Sequence, residues 1–257
     1  LYSKTVTLVP THLPETNAVM LRNRRIGCSQ SGIVDGMAKH GRRTMFDWSN
    51  KGYEYIQALD AQYSSWLCVP RSIKTTTVKP SGSISLLPGV SAGIHYPHSE
   101  YYIRRIRIAS NSPLVQILTT AGYKIEPVVN QSETVVAEFP IHEENFDRSK
   151  KDVSMWEQLE NAAQYQYCWS DNSVSITVTF SKEEAKDIPY ALELYESRLK
   201  SVSFLPMDDH GYVQAPYEAI TKEQYDLMIK NIRPINYDLM DRSQESLKFC
   251  DGDKCII

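Results

Sequence analysis

A β-branched run that ends in a loop of small and hydroxylated residues constrains the fold of this chain most. Residues 77–89 read TVKPSGSISLLPG. Extended structure must end before Pro80, which cannot donate to a strand ladder, and Gly82 lets the backbone approach a ligand closely. Ser81 and Ser83 add hydroxyl donors beside loop N–H groups, as in anion-binding nests. The pattern predicts either a phosphate-binding loop or an ordinary Ser/Gly/Pro turn.

Hydrophobic periodicity predicts a mixed α and β chain without internal repeats. The predicted helices are 14–21, 29–39, 47–63, 112–121, 153–167, 182–200 and 222–231, the last opened by Thr221, and Ser181 is a candidate cap for 182–200. The predicted strands are 73–78, 102–109, 124–129, 134–139, 173–180 and 202–205. From about residue 241 the chain has no apolar face, so we expect a mobile tail there.

Composition narrows the class of protein. With 257 residues and 42% hydrophobic content, the chain can bury a substantial core in one large domain or two small ones. The net charge of −3 gives no overall attraction to nucleic acid or to anionic membranes. No apolar run approaches the roughly 18 residues that a membrane span needs. We therefore expect a soluble, cytoplasmic protein whose five cysteines do not staple the fold.

The segments around the loop carry a family resemblance. The loop sequence KPSGS at 79–83 is followed by GIH at 93–95 and by YIRRIR at 102–107. NRRIGC at 23–28 and SGI at 31–33 precede it, and WSDNSVS at 169–175 and a cysteine pair at 250 and 255 follow it. In this order, and over nearly the whole chain, these motifs resemble the adenosylcobalamin-dependent ribonucleoside-triphosphate reductases, the monomeric branch of the class II ribonucleotide reductases.

The resemblance implies a fold and a substrate site. The fold would be α/β, with residues 1–240 forming the second half of a ten-stranded α/β barrel of the ribonucleotide reductase type. The loop residues Pro80, Ser81, Gly82 and Ser83 would contact the triphosphate of a ribonucleoside triphosphate substrate. The cofactor would be adenosylcobalamin, for which the sequence indicates no contacting residues.

The spacing of the cysteine pair near the end of the sequence is compatible with a disulfide. Cys250 and Cys255 flank a short polar loop with Gly252 at its turn, which allows their Cα atoms to come within the roughly 4.4–6.8 Å that a disulfide requires. Zinc would need two further ligands close by, and the sequence offers none there. The resemblance implies that residues 241–257 form a redox tail, whose two thiols reduce the active-site disulfide and are then reduced by thioredoxin. The alternative is a pair of incidental surface cysteines.

The resemblance also indicates what this sequence does not carry. The family's radical-bearing cysteine, a glutamate two residues after it and a second redox cysteine match no position here. We therefore expect a C-terminal part that acts with an upstream half of the same enzyme and is inactive without it.

The iron-dependent reductases are the nearest alternative family, but their phosphate loop has a Pro-Thr-Ala-type sequence. A different class of function is a non-catalytic nucleotide-binding or subunit-interaction module.

Histidines and arginines near the loop invite other interpretations. His95 and His98 lack a third ligand nearby, so we predict no metal site, and a structural role is favoured over contact with nucleotide or cobalamin. The arginines at 104, 105 and 107 alternate in a predicted strand, where ion pairs across a solvated face are expected rather than nucleic-acid binding.

The remaining candidates are expected to be structural. Cys28, in a predicted helix, Cys68 and Cys168 look like small buried apolar residues. Asp171 and Asn172 precede a predicted strand and are expected to bond to their own backbone in an Asx turn.

Overall fold

The computed structural model describes residues 1–129, 131–207 and 213–237. The described residues form two compact units, one within 1–97 and 144–207 and the other within 98–129, 131–143 and 213–237. None of the helices within the described ranges combines the length and apolar character needed to cross a bilayer. Segments of the two units therefore alternate along the chain, and residues 98–143 of the second unit separate the two segments of the first.

Four helices open the described chain, and strands and helices are interspersed after them. The helices are α1 (Tyr2–Val6), α2 (Pro14–Asn23), α3 (Ile33–His40), α4 (Arg42–Trp66), α5 (Pro113–Thr120), α6 (Met155–Cys168), α7 (Ile188–Tyr195) and α8 (Lys222–Lys230). The strands are β1 (Tyr101–Ala109), β2 (Lys124–Val128), β3 (Gln131–His142), β4 (Thr177–Phe180), β5 (Ser203–Pro206) and β6 (Tyr217–Ala219). Short 3-10 turns occupy Ile84–Leu86 and Glu184–Asp187.

The first unit is built on extended segments that lie parallel in chain order. β4 pairs in parallel with β5, and isolated parallel bridges join Cys28 to Thr76 and Val78 to Val174. The segments 26–28, 75–78, 173–180 and 203–206 therefore follow one another across the array. Helices α3 and α4, then α6, then α7 provide the crossover connections that parallel neighbours require. The predicted strand 73–78 is present only as bridges.

Helix α6 covers the array and forms the core of the first unit. Met155, Leu159 and Tyr165 on this helix are almost completely buried, as are Val78 and Val178 on the extended segments. Apolar positions three and four residues apart place these helical side chains on one face, which explains why this stretch folds against the array.

Asp171 ties three parts of the first unit together. Its carboxylate accepts hydrogen bonds from the Tyr53 hydroxyl at 3.0 Å and from the Thr75 N–H at 2.9 Å. Asn172 donates from Nδ2 to the carbonyl oxygen of Ile26 at 3.0 Å. The prediction of an Asx turn was therefore wrong, because both side chains bond to distant segments instead of their own backbone.

The second unit is an antiparallel sheet in the strand order β2-β3-β1-β6. Ile108, Leu118 and Ala137 form its buried core with α5. Arg105 on β1 lies 2.8 Å from Glu138 on β3 and also pairs with Glu218 on β6. The expected ion pairing of this strand is thus confirmed for Arg105.

The predicted start of α8 is confirmed. Thr221 accepts from the Gln224 N–H at 3.3 Å, and the Gln224 side chain accepts from the Thr221 N–H at 2.8 Å, which confirms the cap.

The prediction of a single helix at 182–200 was wrong. This stretch is broken into the 3-10 turn Glu184–Asp187 and α7, because Pro189 has no N–H and fits only the first turn of a helix. Ser181 Oγ accepts from the Glu184 N–H at 3.3 Å, but no helix begins at residue 182 for it to cap, since the 3-10 turn starts after Glu183.

The cysteines within the described residues also differ from expectation. Cys168 is buried as predicted, and burial raises the pKa of its thiol to about 11. Cys28 lies in a parallel bridge instead of a helix and is only half-buried. Cys68 is exposed instead of buried, and it adopts a left-handed conformation (φ 53°) just after α4 ends.

Candidate functional site

The serine-rich loop lies at the carboxyl end of segment 75–78, beside the loop that follows segment 26–28. Carboxyl ends of neighbouring parallel strands meet at one edge, which is where α/β proteins bind ligands. The Lys79 N–H donates to Ser29 Oγ at 3.0 Å. The hydroxyl oxygens of Ser31 and Ser81 lie 2.7 Å apart and share a hydrogen bond. Serines from two loops thus hold this edge together.

The backbone of the loop is held in an unusual conformation at Ser81. This residue is left-handed (φ 49°), a region that costs a non-glycine residue roughly 1–3 kcal/mol and is found often at ligand sites. Its carbonyl oxygen accepts from the Ser85 N–H at 3.0 Å, which links it to the 3-10 turn Ile84–Leu86. Within the described part of the chain, the N–H groups of Gly82 and Ser83 donate to no backbone carbonyl.

Two glycines allow a second segment to pack against the loop. Gly93 (φ 60°) lies against the backbone of Lys79, and a Cβ at this position would overlap the Lys79 carbonyl oxygen. Gly32 (φ 70°) is close to Val90, whose Cβ would lie 3.0 Å from an added Cβ. The Gly32 N–H donates to the Ser91 carbonyl at 2.9 Å. Residues 90–93 therefore connect the loop to the start of α3.

Ser91 lies between the loop and α3. Its N–H donates to the Asp35 carboxylate at 2.8 Å. Its side-chain oxygen is buried and has no hydrogen-bond partner among the described residues. Buried hydroxyls are nearly always bonded, so this one is an exception among the described residues.

His95 has a structural role, as favoured from the sequence. Its Nε2 accepts from the Thr177 N–H at 3.0 Å, so its Nδ1 carries the proton and faces the Ala92 carbonyl at 3.2 Å. Burial lowers its pKa, which keeps the ring neutral. His98 lies in the second unit, where it stacks with Tyr217 at 6.0 Å. The described residues contain no group of three or more His, Cys, Asp or Glu arranged to hold a metal ion.

Sequence reasoning missed a charged cluster centred on Glu157 at the start of α6. Arg148 binds this carboxylate through two hydrogen bonds of 2.8 and 3.1 Å, and the Tyr96 hydroxyl donates to it at 2.7 Å. The Arg148 hydrogen bonds lower the pKa of Glu157, and burial raises the pKa of Tyr96 to about 12. The cluster borders a cavity of about 260 Å³. No sequence motif links these residues, which only the fold brings together.

The predicted site residues fall into two groups. Pro80, Ser81, Gly82 and Ser83 lie together on the loop at the carboxyl edge of the array. Cys250 and Cys255 lie outside the described residues, and so does the predicted tail. The prediction of a redox pair therefore stays a prediction.

Comparison with solved structures places this fold with the class II ribonucleotide reductases. A crystal structure of a B-12 dependent (class II) ribonucleotide reductase matches 96% of this chain with a TM-score of 0.80 and 31% sequence identity. The match covers 38% of that reductase chain. The α/β class predicted from the sequence is confirmed.

Two named reductases are similar to this chain over its whole length. The chain is 46% identical over 264 residues to a probable adenosylcobalamin-dependent ribonucleoside-triphosphate reductase of Dictyostelium discoideum. It is 46% identical over 265 residues to the adenosylcobalamin-dependent ribonucleoside-triphosphate reductase of Euglena gracilis. Both matches include 100% of this chain, which spans 35% and 36% of those proteins. No protein-family model matches the chain. The resemblance read from the motifs is confirmed for a part of such a reductase.

Proposed function

We propose that this chain is the C-terminal part of an adenosylcobalamin-dependent ribonucleoside-triphosphate reductase and that its loop at 79–83 holds the substrate's triphosphate. The reaction would replace the ribose 2′-hydroxyl of the nucleotide by hydrogen. The observation that carries the proposal is the geometry of the loop. Ser81 is held left-handed and bonded to Ser31, at the carboxyl edge of parallel segments.

The loop is chemically suited to phosphate. Backbone N–H and hydroxyl groups bind anions without a group that titrates near neutral pH. Gly82 and Ser83 have N–H groups that no backbone carbonyl of the described chain accepts. The exposed Lys79 adds positive charge next to the loop. These groups together suit the phosphates of a nucleotide.

The parallel array supports the proposal that residues 1–240 form the second half of a ten-stranded α/β barrel. The segments 26–28, 75–78, 173–180 and 203–206 lie in chain order with helical crossovers, as a half-barrel requires. Among the described residues β5 pairs only with β4, so one side of β5 presents free backbone groups. An upstream half of the same enzyme would pair with this edge.

The tail at 241–257 would supply electrons. In the proposed exchange, the Cys250 and Cys255 thiols become a disulfide while the active-site disulfide becomes two thiols, and thioredoxin then reduces the tail. Adenosylcobalamin would supply the radical chemistry, acting on a cysteine of the upstream half. Both ring nitrogens of His95 are engaged, so this side chain offers no ligand to cobalt. The enzyme would work in the cytoplasm.

Reconstitution tests the proposal. The chain is mixed with a polypeptide corresponding to the remaining part of the Euglena gracilis relative, then supplied with adenosylcobalamin, a ribonucleoside triphosphate and thioredoxin. Deoxynucleotide is expected only from the mixture. Turnover by the chain alone would contradict the proposal that it acts only together with the upstream half. A stable mixture that binds nucleotide but makes no product would favour the non-catalytic module.

A further inference from the structure

The edge of the parallel array opposite the serine loop is basic. Arg25 precedes segment 26–28, Lys74 precedes segment 75–78, and Lys200 comes shortly before β5. Because the starts of parallel neighbours share one edge, the topology brings these three cations together. This edge has no part in the function proposed above.

A cavity of about 600 Å³ opens at this edge, between α6 and the residues that follow α7. Lys74, Gln164, Tyr167, Asp171, Arg198 and Lys200 line it. Its volume lies within the range of roughly 300–1,000 Å³ that small-molecule sites occupy. The cavity can therefore hold more than a single small ion.

The carboxylates near the cavity are already engaged. Arg198 lies 2.8 Å from Glu160, so this arginine is neutralised. The Asp171 carboxylate accepts from Tyr53 and from the Thr75 backbone and hydroxyl. The Lys200 ammonium donates to the main-chain oxygen of Asp171 and not to its carboxylate.

Positive charge is in excess at this edge, because Arg25, Lys74 and Lys200 outnumber the Asp171 carboxylate, which keeps its charge when neutral groups donate to it. Among the described residues, no ion pair within 4 Å involves Arg25, Lys74 or Lys200. Burial and repulsion from Lys74 and Arg25 together lower the pKa of Lys200, although attraction to the Asp171 carboxylate partly offsets them. A bound anion would relieve this repulsion.

An aromatic ring completes the site. Tyr167 lines the cavity near the end of α6 and is 89% exposed, so its ring is accessible to a ligand. An exposed ring beside several cations suits a planar base attached to phosphates, since aromatic faces stack on bases irrespective of sequence.

We propose that this cavity binds a polyphosphate anion, either free or as the phosphate chain of a nucleotide whose base stacks on Tyr167. The proposed site lies at the starting edge of the array, whereas the serine loop lies at the carboxyl edge. The two sites are therefore separable by mutation.

Titration calorimetry of the whole chain with tripolyphosphate and with ATP tests the proposal. In a Lys74→Gln/Lys200→Gln double variant, affinity for both anions should fall at least about tenfold. Lys186→Gln is the matched control, since it removes the charge of an exposed lysine that does not line the cavity, and it should change affinity less than about twofold. Unchanged affinity in the double variant would overturn the proposal.

Two further measurements locate the site and the source of the phosphates. Tripolyphosphate should slow hydrogen exchange in residues 163–171 and 197–201, and should do so equally in a Gly82→Val variant. Protection confined to residues 79–93 would overturn the proposal in favour of the serine loop. Tyr167→Ala should weaken ATP binding and leave tripolyphosphate binding unchanged if the ligand is a nucleotide. Equal binding of ATP by this variant would assign the site to the phosphate chain alone.

Discussion

Gly93 packs directly against the carbonyl oxygen of Lys79, with no room for a side chain between them. The contact fixes the strand end from which the serine loop starts. Gly93 also has φ 60°, a conformation that L-residues rarely adopt. A single position thus combines two requirements for glycine, and it supports the loop without belonging to it.

Gly93→Ala should therefore destabilise the chain by about 2–3 kcal/mol, because strain at positive φ is added to displacement of Lys79. Urea unfolding measures the loss. Gly89→Ala is the matched control, since Gly89 has a similar φ of 63° but nothing within 4 Å of an added Cβ. It should cost only about 1 kcal/mol. Equal losses in the two variants would show that the contact with Lys79 does not matter.

Gly82→Val tests the loop as the triphosphate site. In the assembled enzyme the new side chain would fill the space where phosphate approaches, so nucleotide affinity should fall at least tenfold, about 1.4 kcal/mol. Ser83→Ala removes one hydroxyl and keeps the N–H, so its loss should be smaller, about 0.5–1.5 kcal/mol. Equilibrium binding measures both, with thermal unfolding as the check on folding. Wild-type affinity in a folded Gly82→Val enzyme would rule out this site.

Local signals in the sequence predicted local structure well. The Thr221 cap needs a partner only three residues away, and the apolar spacing of α6 lies within one helix. The parallel bridge between Cys28 and Thr76 has no such signal, because its partners are held together by the packing of α3 and α4. The same limit explains why Cys28 was placed in a helix.

The candidate site shows the same difference between local and long-range features: the loop was predicted, and the contacts between distant segments were not. The loop residues from Pro80 to Ser83 were found because turn chemistry and motif resemblance are both local. The bond from Tyr53 to Asp171 spans 118 positions, and the cluster around Glu157 joins three separate segments. Such contacts depend on topology, which hydrophobic periodicity does not specify.

Acid should weaken the first unit through Glu160. The hydrogen bond from Arg198 lowers the pKa of Glu160 from 4.5 to about 2. A lowered folded-state pKa contributes stability above about pH 4.5, and that stability is lost as pH falls towards 2. Both side chains are about one-third exposed, so solvent screening limits the effect to about 1 kcal/mol.

Urea unfolding between pH 6 and pH 2.5 measures this dependence. Glu160→Gln should lower stability at pH 6 and flatten the decline at lower pH. Glu196→Gln removes a charge from an exposed glutamate directly after α7 and serves as the control. Parallel pH curves for wild type and Glu160→Gln would show that the Arg198 contact contributes nothing.

The proposed redox pair makes the final prediction. Changing Cys250 and Cys255 together to Ser in the reassembled enzyme should abolish multiple turnover with thioredoxin, because a protein reductant would not reach a disulfide inside the proposed barrel. A small dithiol diffuses in and should still support slower turnover, since it lacks the high effective concentration of a tethered thiol pair. The first turnover should be nearly unchanged, because it uses thiols that are already reduced.

Rapid-quench assays with each reductant separate these outcomes. Cys68→Ser is the matched control, because it removes an exposed thiol that lies at the end of α4. Equal loss with both reductants in the double variant would indicate a structural role for the tail. Full turnover with thioredoxin would show that the pair is incidental, and electrons would then have to reach the active site by a route that does not use residues 250 and 255.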